Sequence, residues 1–331
     1  MKLLFVFTGG TIGSTQSGNV IFADASKSYK ILDAYDGRYG IDFEYDVAEP
    51  YNELSENNTG EHIKMLVECI KENESRGYDG IIATHGSDTL QYSAAAIGYC
   101  LGASSLPVCL VAANAPIESE SSNALDNLRG AISFIRQSAG RGAFVIYRNS
   151  KGDTVLVHRA ARLIASNAYS DEVMSVGGEP YGAFDGAFAF RKNPNYLEGT
   201  DEIEPLCASN LENTASEIMM IGVYPGMIYP SIPSGVKYVI LNTYHSGTLD
   251  TKSQGIADFA REARRKSVRI YATGVYDGPC YSSATEFERL GITPIKGISP
   301  IAAYIKLWLI STAGKCPDED LRSSLSGDII K

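Results

Sequence analysis

The stretch FVFTGGTIGS at positions 5–14 joins a short apolar run to a turn that is rich in glycine and hydroxyl groups. An apolar run of this length is typical of a strand that is buried on both faces of a sheet. The glycines Gly9 and Gly10 predict a tight turn at which the backbone comes close to a ligand. Hydroxyl groups are offered there by Thr8, Thr11 and Ser14. The stretch therefore predicts a strand that ends in a tight turn. This turn is either purely structural or holds a nucleophile.

A second stretch, GIIATHGSDT at positions 80–89, repeats this order of strand, glycine and hydroxyl. In a parallel sheet both turns lie at the edge where ligands bind in open α/β folds. Asp88 adds a carboxylate beside Ser87, and the glycine turns offer amide N–H groups to an oxyanion. A single turn of this kind is more often structural. Two turns with the same geometry favour a functional site.

Apolar runs and amphipathic helical patterns alternate along the rest of the chain, which predicts an α/β fold with a doubly wound parallel sheet. In the first half, strands are predicted at 3–7, 80–84, 107–113 and 142–147, and helices at 59–75, 91–101 and 122–138. Irregular, glycine-rich sequence then fills positions 176–205 and is typical of a linker. A second alternating unit begins near residue 217. We expect an N-terminal domain at 1–190, a linker at 191–214 and a smaller C-terminal α/β domain at 215–331.

The helix predicted at 300–310 is apolar on nearly every face, so we expect it to be buried and to take part in a subunit contact.

The 331 residues carry a net charge of -10, which argues against nucleic acid or an anionic membrane as the main partner. Six cysteines without a close pair indicate a reducing, cytoplasmic setting. Four histidines without ligand spacing give no reason to expect a metal.

Three motifs together resemble the bacterial L-asparaginase (asparaginase/glutaminase) family, in its cytoplasmic type I form. They are TGGTIGS at 8–14, ATHGSDTL at 83–90 and LSENNTGEH at 54–62. The resemblance covers the whole chain, and the pairing of the first two motifs at this separation is specific. It implies a two-domain asparaginase-like fold, a homodimer or homotetramer, no cofactor and an amino-acid substrate.

The resemblance also implies a mechanism and a set of site residues. A threonine hydroxyl attacks the side-chain amide of L-asparagine or L-glutamine, ammonia leaves, and water hydrolyses the acyl-enzyme. The catalytic positions fall on Thr11, Ser87 and Asp88, and Asp88 would also hold the substrate ammonium. The substrate-binding positions fall on Gly10, Ser55, Glu56 and Gly86. Ser55 would hold the α-carboxylate, and Glu56 would lie near the α-amino group.

The chain departs from the family pattern at four places. Ser87 stands where members carry threonine. The catalytic lysine position corresponds to Ala165, in the run RAARLIA at 159–165, and Lys151 is the lysine closest to it in sequence. The mobile loop has its first tyrosine only at Tyr29, and Thr248 replaces a C-terminal asparagine.

These departures leave three interpretations open. The chain is a working amidohydrolase, or a catalytically impaired relative that binds an amino acid, or a serine hydrolase of another type that uses Ser87 with His85.

Overall fold

The computed structural model describes residues 1–10, 14–17, 20–23, 29–102, 104–149, 152, 154–211, 217–315 and 317–330. In this part of the chain the strands are β1 (Lys2–Val6), β2 (Ser14–Ser17), β3 (Val20–Ala23), β4 (Glu44–Ala48), β5 (Gly80–Thr84), β6 (Pro107–Val111), β7 (Gly142–Arg148), β8 (Val155–Arg159), β9 (Gly182–Phe184), β10 (Phe190–Lys192), β11 (Ile218–Gly222), β12 (Tyr238–Asn242), β13 (Arg269–Val275) and β14 (Ile292–Lys296). The helices are α1 (Lys30–Tyr39), α2 (Gly60–Asn73), α3 (Leu90–Leu101), α4 (Ala124–Arg136), α5 (Gln254–Arg265), α6 (Ser282–Thr285), α7 (Phe287–Leu290), α8 (Pro300–Thr312) and α9 (Pro317–Asp320).

The larger sheet has eight strands in the order β10-β9-β8-β7-β6-β5-β1-β4. Five neighbouring strands of this sheet, β4, β1, β5, β6 and β7, run parallel. Val6 at the end of β1 pairs with Ala48 of β4 and Ala83 of β5. The carboxyl ends of these strands therefore share one edge, as predicted. The segments that follow β1, β4 and β5 are brought together there.

The four strands predicted for the first half are parallel, and the sheet continues beyond β7 with three further strands, β8, β9 and β10, which pair antiparallel. The strands β9 and β10 lie inside the 176–205 region predicted as a linker. Each has only three residues, which is too short to give a periodic pattern. The edge strand β4 was missed because its first three residues are exposed, so it contains no apolar run.

A second sheet of four parallel strands, in the order β11-β12-β13-β14, forms the C-terminal part of the chain. Its separation from the larger sheet confirms the two-domain α/β class. The boundaries at 190, 214 and 215 stay predictions. No helix in the described part of the chain has both the length and the apolar content to cross a membrane.

The helix α8 is buried, as predicted, but its apolar surface is covered within the chain. It packs against α3 of the larger domain and against β11, β12 and β13 of the smaller one. Its buried residues share one core with residues of both sheets. The apolar composition of α8 is thus explained without a subunit contact.

One charged side chain of α8, Lys306, is fully buried and lies at the centre of a polar cluster. Its Nζ lies 2.8 Å from Oδ2 of the equally buried Asp328 and also donates to the carbonyl of Ser323. Tyr99 of α3 donates its hydroxyl to the same carboxylate oxygen at 2.9 Å. The cluster joins α3, α8 and the C-terminal segment, and it satisfies the charges that burial would otherwise penalise.

We predict that Lys306→Met lowers the free energy of unfolding by about 3–5 kcal/mol, because it leaves Asp328 as an uncompensated buried charge. Lys296→Met is the matched control, since Lys296 pairs with Asp277 where both side chains are exposed. An exposed pair contributes at most about 1 kcal/mol. Urea unfolding of the two variants measures the difference, and equal losses would contradict the assigned role of the cluster.

Candidate active site

The turns after β1 and β5 touch each other more closely than side chains would permit. Thr8 donates its hydroxyl to the carbonyl oxygen of Thr84 at 2.7 Å, and both residues are buried. A Cβ atom added to Gly10 would lie 2.4 Å from the backbone nitrogen of Gly86. Gly10 also has a φ of +76°, which side chains rarely adopt. Glycine is therefore required at this position for two independent reasons.

The segment after β4 forms the third wall of the site. Gly9 and Glu53 make a parallel bridge, in which Gly10 N–H donates to the Glu53 carbonyl and Glu53 N–H donates to the Thr8 carbonyl, both at 3.1 Å. A Cβ atom on Gly9 would lie 2.6 Å from the Glu53 oxygen. Backbone contact alone thus fixes the position of the residues that follow Glu53.

Ser55 opens a short 3₁₀ helix in this third segment and lies against the second turn. It is 3% exposed, and a Cβ atom on Gly86 would lie 2.4 Å from its Oγ. Thr89 donates its hydroxyl to the Ser55 carbonyl at 2.8 Å. The structure therefore brings together the predicted residues Gly10, Ser55 and Gly86.

Thr89 is a site residue that the sequence reasoning missed, although it lies inside the ATHGSDTL motif. It occupies the N-cap position of α3, yet no side chain caps this helix. Its hydroxyl is engaged by Ser55 instead. The amino end of α3 is left free to attract an anionic group such as a carboxylate.

His85 is fully buried beneath the second turn, and burial lowers its pKa to about 4 against the opposing effect of its bond to Gly86. Its Nδ1 lies 2.8 Å from the Gly86 carbonyl oxygen, and its Nε2 lies 3.2 Å from Nδ2 of Asn58. Both ring nitrogens are therefore occupied. This geometry argues against a serine hydrolase in which His85 acts as the base for Ser87.

The amide groups of the two turns differ in availability. Gly10 N–H is bonded to Glu53, whereas Gly86 N–H and Ser87 N–H make no hydrogen bond within the described part of the chain. Within the described residues, the amides of the second turn are therefore available to an oxyanion.

The remaining predicted site residues differ in their exposure to solvent. Ser87 is half-buried, whereas Asp88 and Glu56 are exposed at the same edge of the sheet. Thr11 and Lys151 lie outside the described residues. Tyr29 follows a gap in the described chain, and its ring lies 5.5 Å from that of Phe7, just before the first turn.

Ala165, which is predicted to occupy the position of the catalytic lysine, is exposed and follows β8 by six residues. The cationic side chains that precede it most closely in the chain donate hydrogen bonds to backbone carbonyls of other segments. Arg162 is buried and donates to the carbonyls of Gly327 and Leu197, and Arg159 donates to that of Ser326. Among the described residues no group of histidine, cysteine and acidic side chains is arranged to hold a metal ion.

Comparison with solved structures identifies the same architecture. The thermostable L-asparaginase from Thermococcus kodakarensis superposes with a TM-score of 0.79 at 20% identity, over 100% of both chains. L-asparaginase I from Vibrio cholerae gives a TM-score of 0.75 at 18% identity, over 100% of this chain and 99% of the other. At such low identity these similarities concern the fold.

Sequence relatives include a subunit of the glutamyl-tRNA(Gln) amidotransferase from Methanococcus maripaludis strain C7, which is 27% identical over 84% of this chain and 68% of its own length. The protein of the same name from Thermofilum pendens is 25% identical over 96% of this chain and 72% of its own. The match to the corresponding subunit from Methanococcus vannielii covers 77% of this chain and 62% of the length of that protein.

The family described as "Asparaginase, N-terminal" matches residues 2–196, which is more than half of the chain and includes all three segments that meet at the candidate site. With its fold and its interlocked glycine turns, the chain belongs to the asparaginase family.

Proposed function

We propose that the chain is an amidohydrolase that releases ammonia from the side-chain amide of L-asparagine, or of L-glutamine, through an acyl-enzyme on Thr11. The observation that carries this proposal is the contact of three segments at Gly10, Ser55 and Gly86. Thr11 directly follows Gly10, and Ser87 directly follows Gly86. Two hydroxyl-bearing residues are thereby attached to turns that are in contact.

In this proposal the Thr11 oxygen attacks the amide carbon and its proton is passed on towards the leaving nitrogen. The carbonyl oxygen becomes an oxyanion, which the open N–H groups of Gly86 and Ser87 stabilise. Ammonia leaves, and water then cleaves the ester to release the free acid. Ser55 and the amino end of α3 hold the α-carboxylate. Asp88, with Glu56 nearby, holds the α-ammonium group.

Two alternatives have support of their own. The names of the sequence relatives favour amide hydrolysis as one component of an amidotransferase. The net charge of -10 argues against direct contact of this chain with tRNA. The alanine at position 165 favours a catalytically impaired protein that binds an amino acid.

We also propose a cytoplasmic location, which the free thiols among the described cysteines support.

Ammonia release from L-asparagine, L-glutamine and their D-isomers tests the proposal directly. We expect Thr11→Ala and Ser87→Ala to lower kcat at least about 10³-fold, because Thr11 supplies the attacking oxygen and Ser87 the second of the two catalytic hydroxyls that the family resemblance implies. Asp88→Asn should weaken amino-acid binding about 5-fold where the ion pair is open to water, and roughly 30-fold or more where water is excluded from it. Thr200→Ala, at an exposed position of the predicted linker, is the control. A native chain that binds L-aspartate but releases no ammonia would favour the impaired relative.

Ala165 generates a second prediction. If the missing lysine limits proton transfer, Ala165→Lys should raise kcat for L-asparagine by about 10²-fold or more. Ser166→Lys adds the same charge at the adjacent exposed position and should have no such effect. A native chain that works at full rate, with no gain in Ala165→Lys, would show that another group transfers the proton.

We further propose that the chain forms a homodimer or homotetramer. Large apolar side chains are exposed in the loops after β11 and β13, which lie at the same edge of the smaller sheet. Their exposed fractions are 54% for Tyr224, 86% for Ile228, 63% for Tyr276 and 65% for Tyr281. Such side chains are typical of surfaces that bind another protein.

Light scattering at micromolar concentration should give a multiple of the 35.7 kDa chain mass. Ile228→Asp should shift the mass towards the monomer, because it places a charge in the exposed apolar surface. Tyr169→Asp is the control, since Tyr169 is also fully exposed but lies in the larger domain. A mass of one chain for the native protein would contradict the proposal.

A further inference from the structure

We infer that Asn58 and His85 are positioning residues, which aim the Ser87 N–H into the site by holding the Gly86 carbonyl from the protein interior. The inference rests on the proposed function, because it assigns that N–H to the oxyanion. Neither residue touches the substrate in this scheme. Both act through the peptide bond between Gly86 and Ser87.

The hydrogen bonds define a single arrangement of protons. The Gly86 carbonyl only accepts, so His85 Nδ1 must carry a hydrogen and donate it over the 2.8 Å contact. Burial keeps the ring neutral, which leaves a lone pair on Nε2. Asn58 Nδ2, at 3.2 Å, donates to that lone pair. The chain of donors therefore runs from Asn58 through His85 to the Gly86 oxygen.

The planar peptide bond between Gly86 and Ser87 links the orientation of the Gly86 carbonyl to that of the Ser87 N–H. The described residues contain no cis peptide bond, and a trans peptide is planar with its C=O and N–H pointing in opposite directions. Since the Gly86 oxygen faces the buried ring, the Ser87 N–H faces away from it. Ser87 is half-buried, and its N–H has no hydrogen-bond partner within the described residues.

Asn58 is itself held between two walls of the site. Its Nδ2 lies 3.5 Å from the Thr89 hydroxyl, which in turn donates to the Ser55 carbonyl. Asn58 thus links the Ser55 segment, the start of α3 and the buried ring.

A pair of His85 variants tests the inference. An asparagine amide occupies the place of Nδ1 and keeps a donor for the Gly86 oxygen, whereas a glutamine amide occupies the place of Nε2. We expect His85→Gln to lower kcat on the order of 10²-fold and His85→Asn less than about 10-fold, with KM changed little in both. A purely structural role would not produce this order, so equal kcat values in folded variants would overturn the inference.

Asn58→Leu removes the first donor, and Asn57→Leu is its matched control. Asn57 lies one residue earlier and donates to Glu53 instead of His85. We expect only Asn58→Leu to lower kcat, and a loss of kcat that both variants share would count against the inference. Thermal melts establish that each variant is folded.

Two measurements keep the inference testable if the native chain releases no ammonia or a variant does not fold. Imidazole ¹⁵N shifts of the native protein should show a protonated Nδ1 and an unprotonated Nε2 from pH 5.5 to 8. The opposite tautomer, or a ring that titrates within this range, would overturn the inference. Binding of L-aspartate should shift the Ser87 amide proton in the native protein and less in His85→Gln. An equal shift in both would also overturn it.

Discussion

The contact between Gly10 and Gly86 is the constraint on which the rest of the site depends. Parallel pairing of β1 with β5 brings the two turns to one edge of the sheet, and the absence of a side chain at Gly10 lets the backbones meet. The same requirement recurs where Ser55 lies against Gly86. Glycine costs conformational entropy at each place, and this cost is accepted because a Cβ atom would separate the segments.

Once the turns are interlocked, the polar groups beneath them have few choices of partner. A buried polar group that lacks a partner is costly, and several groups below the turns pair with one another, although the Tyr51 hydroxyl and Oδ1 of Asn58 have no partner among the described residues. Thr8 bonds to Thr84, Thr89 bonds to Ser55, and His85 bonds to Gly86. The N–H groups of Gly86 and Ser87 make no hydrogen bond within the described residues. These unbonded amides support the proposal that this edge of the sheet binds a ligand.

The sequence predicts this site unevenly, for physical reasons. The turns after β1 and β5 are predictable because apolar runs and glycines are local signals. The roles of Asn58 and Thr89 are not, because each depends on a hydrogen bond to a residue 27 or 34 positions away. Polar edge strands such as β4 escape a search for apolar runs. The burial of α8 was predicted, but its partner was not, because apolarity does not distinguish contact within a chain from contact between chains.

The exposure of the carboxylates at the site limits what this chain can do alone. Asp88 and Glu56 are open to water, where an ion pair with an ammonium group contributes at most about 1 kcal/mol. The same pair becomes several times stronger once water is excluded. Selective binding of an amino acid therefore requires a cover over this edge of the sheet. An exposed apolar surface, such as the one that carries Ile228 and Tyr276, is suited to exclude water when another copy of the chain presents it. On this argument the proposed assembly and the proposed substrate binding depend on each other.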